Sequence, residues 1–270
     1  MSFVAMDLAR AASQTIGQRK ELWALPILAS CCSLVVWATA WYFVLDGWLK
    51  LGIMGITSKW PLLLAPAWFL AAFSHAYFQV ALAHGLTGDD PESRMDEALG
   101  FAWQHKAAIA WWTLINGAAR MSLAFGGRHA GVLPGLSWLG GMAWATATFP
   151  VPVLLAQGCL TGKALRVSAA VVHRHLTDSA VGLGGLWILF RAVQGMVAGL
   201  GTTAVWLLVM SQSPVMGVGV GLLAGILILA PETGQQALTV AFAYELLAKD
   251  KAEASASQQL GNPGGAIVHG

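Results

Sequence analysis

The stretch VMGVGVGLLAGILILAPETGQQALTVAFAYELL, residues 215–247, is apolar throughout its first half and is first interrupted by a charge at Glu232, just after Pro231. A bilayer-crossing helix needs roughly 20 mostly apolar residues. This run exceeds that, so as a membrane helix it must tilt, bend or project beyond the bilayer. Once it is read so, the rest of the chain follows. Similar apolar runs recur at 25–46, 61–85, 106–126, 132–157 and 180–211.

Composition places all six in one class. The 270 residues are 57% hydrophobic and 10% charged, with a mean hydropathy of +0.64. Such a chain lies outside the range of soluble globular domains. The expectation is an all-α polytopic membrane bundle of six transmembrane helices over residues 1–248, with no separate soluble domain. From 249 to 270 the chain is charged and then rich in Ala, Ser, Gln, Gly and Pro, which predicts a disordered cytoplasmic tail. The first apolar run is too long for a signal-peptide core and is expected to stay as an anchor.

Lys and Arg set the orientation. Arg10, Arg19, Lys20, Arg94, Lys106, Lys163, Arg166, Arg174, Lys249 and Lys251 fall on one side of the six runs, and Lys50, Lys59 and Arg128 on the other. By the positive-inside rule both termini are cytoplasmic. Several of the Trp residues, among them Trp23, Trp48, Trp60 and Trp138, fall at the ends of the runs as interfacial belts do. No basic stripe with interleaved aromatics points to nucleic acid.

Two connections carry helical patterns of their own. After the second run, Asp89-Asp90-Pro91-Glu92 has the form of an acidic cap with proline in the first turn, followed by Met95, Leu99, Ala102 and Trp103 at helical spacing. After the fourth run, Lys163, Leu165, Arg166, Val167, Val171, Val172 and Arg174 suggest a second helix. Both are predicted to be amphipathic helices at the cytoplasmic interface. Opposite charge on the two predicts that they lie side by side, while anionic lipid at Lys163, Arg166 and Arg174 is a competing partner for the basic one.

Polar groups inside apolar runs are the natural place to seek function, because an ionisable side chain at membrane depth is costly and normally faces protein or a water-filled cavity. Arg191 and Glu232 are such groups. Gly195 and Gly199 follow Arg191 at intervals of four, and Gly217, Gly221 and Gly225 form a matching row on the last run. Glycine rows let helices approach closely. In an antiparallel hairpin turning near 211–214, Arg191 and Glu232 come level, with Gln194, Gln235 and Gln236 available to complete an intramembrane polar site. Pro231 is expected to kink the last helix, freeing a carbonyl one turn earlier and aiming the Glu232 carboxylate inward. His75, with Gln79 one turn away, is expected to make a helix-to-helix hydrogen bond.

Pro150 and Pro152 remove two backbone donors from the fourth run, so its helix must kink there. The bend either walls a cavity or simply turns the chain toward the basic helix. Cys31, Cys32 and Cys159 lack metal-ligand spacing and are expected to be small packing residues, with no disulfide. His173 and His175 are two apart and therefore point to different helix faces, unsuited to a shared metal.

Four segments together resemble an uncharacterised family of bacterial six-span integral membrane proteins. They are Lys20-Glu21-Leu22-Trp23-Ala24-Leu25-Pro26, the Ala-Leu-x-x-Gly-Leu-x-Gly-Asp pattern from Ala81 to Asp89, Ala147-Thr148-Phe149-Pro150-Val151-Pro152-Val153, and Lys163-Ala164-Leu165-Arg166-Val167-Ser168. The likeness spans about residues 10–247. This chain departs in having Thr177-Asp178 where such proteins tend to have Trp-Gly. The resemblance implies a bacterial inner membrane but no activity, cofactor or catalytic residue.

No GxSxG, HExxH, P-loop or dinucleotide fingerprint is present. The chain is therefore expected to be no enzyme and to hold no metal or cofactor. Two function classes follow: a membrane scaffold or accessory subunit that binds another membrane protein, or a transporter or binding protein for a small solute or lipid-like amphiphile that uses Arg191, Glu232 and the proline kink. The absence of matching interrupted helices of the transporter kind favours the first.

Overall fold

The computed structural model describes residues 3–37, 39–40, 60–87, 94–129, 134–181, 183–185, 188, 190, 192, 193, 196 and 214–261. Among these the protein is all-helical, with no strand. In chain order the elements are α1 (Phe3–Gly17), a 3₁₀ turn (Lys20–Trp23), α2 (24–37), α3 (Trp60–Thr87), α4 (Arg94–Gln104) and α5 (Lys106–His129). There follow α6 (Pro134–Thr148), α7 (Val151–Ala156), α8 (Thr161–Arg174), α9 (176–181) and α10 (Pro214–Gly261).

These helices cover much of what the apolar runs predict. By length and hydropathy, one described stretch suits a membrane crossing: Lys20–Trp37, with a mean hydropathy of 1.4 over 18 residues. Gly140–Ala156 is a shorter apolar helical stretch.

Among the described residues most buried apolar side chains form one cluster. Leu8, Ala12 and Ile16 repeat every four residues and give α1 a buried stripe, which lies on α10. Leu22 and Leu25 enter beside the second half of α3, where Val80, Leu82 and Leu86 are buried. Ala98 and Ala102 of α4, Ile109 of α5, all of α7, and Phe242 and Leu246 of α10 complete one continuous cluster.

Two close approaches depend on glycine. A Cβ at Gly85 would stand 2.9 Å from a Leu22 methyl, and one at Gly117 would overlap the Trp68 ring. Trp68 is a rigid bicycle held between α3 and α5, so Gly117→Ala should cost about 1–3 kcal/mol through overpacking. Measured by unfolding in detergent, most of that loss should disappear when Trp68→Leu is added.

Three expectations are corrected. The two surface helices do not lie side by side: α4 packs on α3 and α5, α8 on α5, α6 and α7. Among the described residues no ion pair joins them, and Arg174 of α8 pairs instead with Asp250 of α10. Second, α10 runs without a break through Pro231 and past 249 to Gly261, a length of about 72 Å at 1.5 Å per residue. Residues 249–261 are thus helical where a disordered tail was expected, since Ala, Glu, Lys and Gln are strong helix formers and an existing helix extends without a new nucleation cost. Third, Cys31 and Cys32 are exposed on α2 rather than buried; all three cysteines are free.

Candidate functional site

α3 and α10 pack together, and polar residues on both face the seam. Glu232 and Gln236 are four apart on α10, on one helix face. Opposite them, on α3, stands His75. Its Nδ1 lies 2.6 Å from Gln236 Nε2 and its Nε2 3.7 Å from Glu232 Oε1. With the Gln236 amide donating, Nδ1 accepts and the ring proton sits on Nε2, toward the carboxylate. The His75 side chain is 20% exposed and that of Glu232 38%. Gln236 Oε1 is buried without a partner. The hydrogen bond expected of His75 thus crosses to the last helix, over 161 positions of sequence.

Of the other expected site residues, Arg191, Gln194, Gly195 and Gly199 lie outside the described residues, as do the surroundings of Gly217, Gly221 and Gly225. The Arg191–Glu232 pairing is therefore not among the described contacts. Gln235 is half-buried beside the cluster, and Pro231 sits inside the unbroken α10.

The second polar locus is the proline break. α6 ends at Thr148 and α7 starts at Val151 with Pro150 as its N-cap. Ser168 of α8, fully buried, donates to the Ala147 carbonyl at 2.6 Å. Thr148 Oγ1 donates to Trp144 O at 2.7 Å, and the Trp144 indole donates to Asn116 Oδ1 at 2.9 Å, tying α6 to α5. Protein donors therefore serve two carbonyls of the last turn of α6. Phe149, at the break itself, packs on Phe242 with ring centroids 5.9 Å apart. Ser168→Ala should cost about 1–3 kcal/mol, since it leaves a buried carbonyl unpaired, and Ser168→Thr should lose less; thermal unfolding of the two variants checks this.

The third locus ties α8 and α9 to the extension of α10. Arg174 Nη2 meets Asp250 Oδ2 at 2.9 Å, His175 Nε2 lies 3.3 Å from Asp250 Oδ1, and Lys249 Nζ meets Asp178 Oδ2 at 3.1 Å. Glu253 approaches both His175 and Lys249. Nearby, Lys251 Nζ donates to Gln157 at 3.2 Å and, nearly two turns earlier on α10, Glu245 accepts from Thr15 of α1 at 2.6 Å. Among the described residues no three His, Cys, Asp or Glu side chains converge as metal ligands. His173 is exposed and His175 buried, so the two do face apart.

Several partnerships had no signal in the sequence. Arg19 Nη1 donates to the Gly85 and Leu86 carbonyls at 2.8 and 2.7 Å. His84, Phe101 and His105 form a column of stacked rings with centroids 4.0 Å apart at each step, pinning α3 to the α4–α5 corner. Each histidine Nδ1 faces a carbonyl, that of Ala156 for His84 and that of Phe101 for His105. Period and spacing report which face a residue occupies, not which distant residue it meets.

No family model, no curated protein and no solved structure matches the chain.

Proposed function

We propose that the chain is a six-span integral protein of a bacterial inner membrane, with both termini cytoplasmic, and that it serves as a non-catalytic scaffold or accessory subunit of a larger membrane complex. One observation carries this reading: the Ala147 carbonyl at the proline break accepts a hydrogen bond from a buried side chain of the same fold, Ser168, at 2.6 Å. Non-helical backbone at membrane depth survives only against protein or a water-lined cavity. Here it is held by protein. Around it α7 is buried along its whole length. A segment filled in this way suits a rigid platform better than a solute path.

The polar seam supplies the runner-up. Glu232 stands 3.7 Å from His75, beyond hydrogen-bond length, and Gln236 Oε1 has no donor, which favours a carrier of a small solute or amphiphile using that site together with Arg191. Mild-detergent purification of the tagged full-length protein separates the two. A scaffold brings down one membrane protein in fixed stoichiometry, and proteoliposomes containing the protein alone show no flux. Solute flux that disappears in both Glu232→Gln and Arg191→Gln, with both variants folded, would reverse the preference.

A further inference from the structure

Three helices close on one another at His175, the C-cap of α8. Its side chain is 8% exposed, and its Nε2 lies 3.3 Å from Asp250 Oδ1 and 3.7 Å from Glu253 Oε2, both on α10. Arg174 binds the other oxygen of the same Asp250. From α9, Asp178 meets Lys249, which also approaches Glu253. A neutral imidazole set between two carboxylates carries its proton on the nitrogen they face, here Nε2. Nδ1 then holds a lone pair, and among the described residues only Nε2 of the ring is engaged.

The charges at this corner do not balance. With the imidazole neutral, two cations, Arg174 and Lys249, meet three carboxylates, Asp178, Asp250 and Glu253, which leaves a net charge of −1. A proton on Nδ1 makes it three against three. Neighbouring elements do not supply that charge. α7 has no ionisable residue, and Lys251 turns to Gln157 just beyond its end. Asp7 of α1 borders Lys249 across a groove and adds a negative charge, while Glu245 is taken by Thr15. His173 is exposed on another face of α8. The Asp250 side chain is only 14% exposed, so an imidazolium beside it is attracted more strongly than it would be in open water.

We propose that this corner is an acid-tightened clasp: a proton on His175 draws Asp250 and Glu253 in and holds the extension of α10 against α8 and α9, and its loss loosens the hold. The docked arrangement gains from the proton. Docking therefore strengthens as pH falls through about 8 to 5, the range in which imidazole side chains change charge. Residues 251–257 of α10 are exposed beyond the clasp, so it sets where that end of the helix points. The clasp requires neither the membrane placement nor the scaffold reading.

Nitroxide labels on Ala169→Cys of α8 and Ala256→Cys of α10, both exposed positions, report docking through the distance between them, read by double electron–electron resonance. The full-length protein is used in detergent, with Cys31, Cys32 and Cys159 replaced by Ser. From about pH 8.5 to about pH 5.5 the ratio of docked to released populations should rise about five-fold, equivalent to about 1 kcal/mol, the upper end for an ion pair near a surface. His175→Gln, which keeps a donor but takes no charge, should show no rise. Glu253→Gln balances the cluster without a proton and should flatten the profile. His173→Gln should follow the parent. The Glu253 side chain is 58% exposed, so its variant decides the matter even where His175→Gln fails to fold. A parent distribution that is unchanged with pH, or that shifts toward release in acid, overturns the clasp. So does a His175→Gln or Glu253→Gln variant that keeps the parent's full dependence.

Discussion

Phe242→Ala should lower stability by about 3–5 kcal/mol, the range for truncating a buried phenylalanine. Among the described residues Phe242 is the largest fully buried side chain, and its ring lies against Phe149 at the proline break. The cluster it belongs to draws on several helices, among them α7 through Val153 and Leu155 and α3 through Leu82. Their backbones are held by separate contacts, so the hole cannot close by one local shift, and the dispersion contacts of every lining group are lost. Phe242→Leu keeps most of the volume and should lose less. Met196→Ala, at a side chain 72% exposed, should change little. Denaturant unfolding of the purified protein gives all three values. A loss below about 1 kcal/mol for Phe242→Ala would mean that this part of the bundle relaxes freely, contrary to a rigid platform.

Arg19→Met should cost about 3 kcal/mol, although Arg19 lies at the border of the core. The last carbonyls of a helix have no intrahelical donor. Arg19 supplies one to both Gly85 and Leu86 at the end of α3, while its charge opposes the negative end of the helix dipole. Methionine keeps the length and apolar stem but strands two carbonyls, each about 1–3 kcal/mol if they stay shielded from water. Arg19→Lys should recover part of the loss, since an ammonium provides the charge without the planar fork. Thermal unfolding of the pair reads the difference. Equal stability of both variants and the parent would show that water replaces the guanidinium at no cost.

Residues with a covalent reason to behave in one way were legible in advance. Pro150 and Pro152 lack the donors a continuous helix needs, and α6 gives way to α7 at that point. His75 sits in an apolar run where a polar ring requires a partner, and it bonds across helices. The partner was not legible. Nor was the use of Ser168, a small polar residue among Val and Ala that, on the sequence, could as well have faced water. Charge sign alone paired α8 with α4, because it ignores where the fold carries each helix. In the structure the basic end of α8 meets Asp250 and Glu253, residues assigned by composition to a disordered tail. That assignment missed that the tail continues a preformed helix and that its first charges find partners.

The sequence by itself determined the helices: apolar runs, proline breaks and the period of buried residues act over one to a few turns, and local chemistry is enough to place them. Only the tertiary structure decided which polar groups meet. Thr15 reaches Glu245 across 230 positions, Gln236 reaches His75 across 161 and Ser168 reaches Ala147 across 21. Each of these bonds forms because packing removes water from both partners at one place. No pattern within a single helix records that encounter.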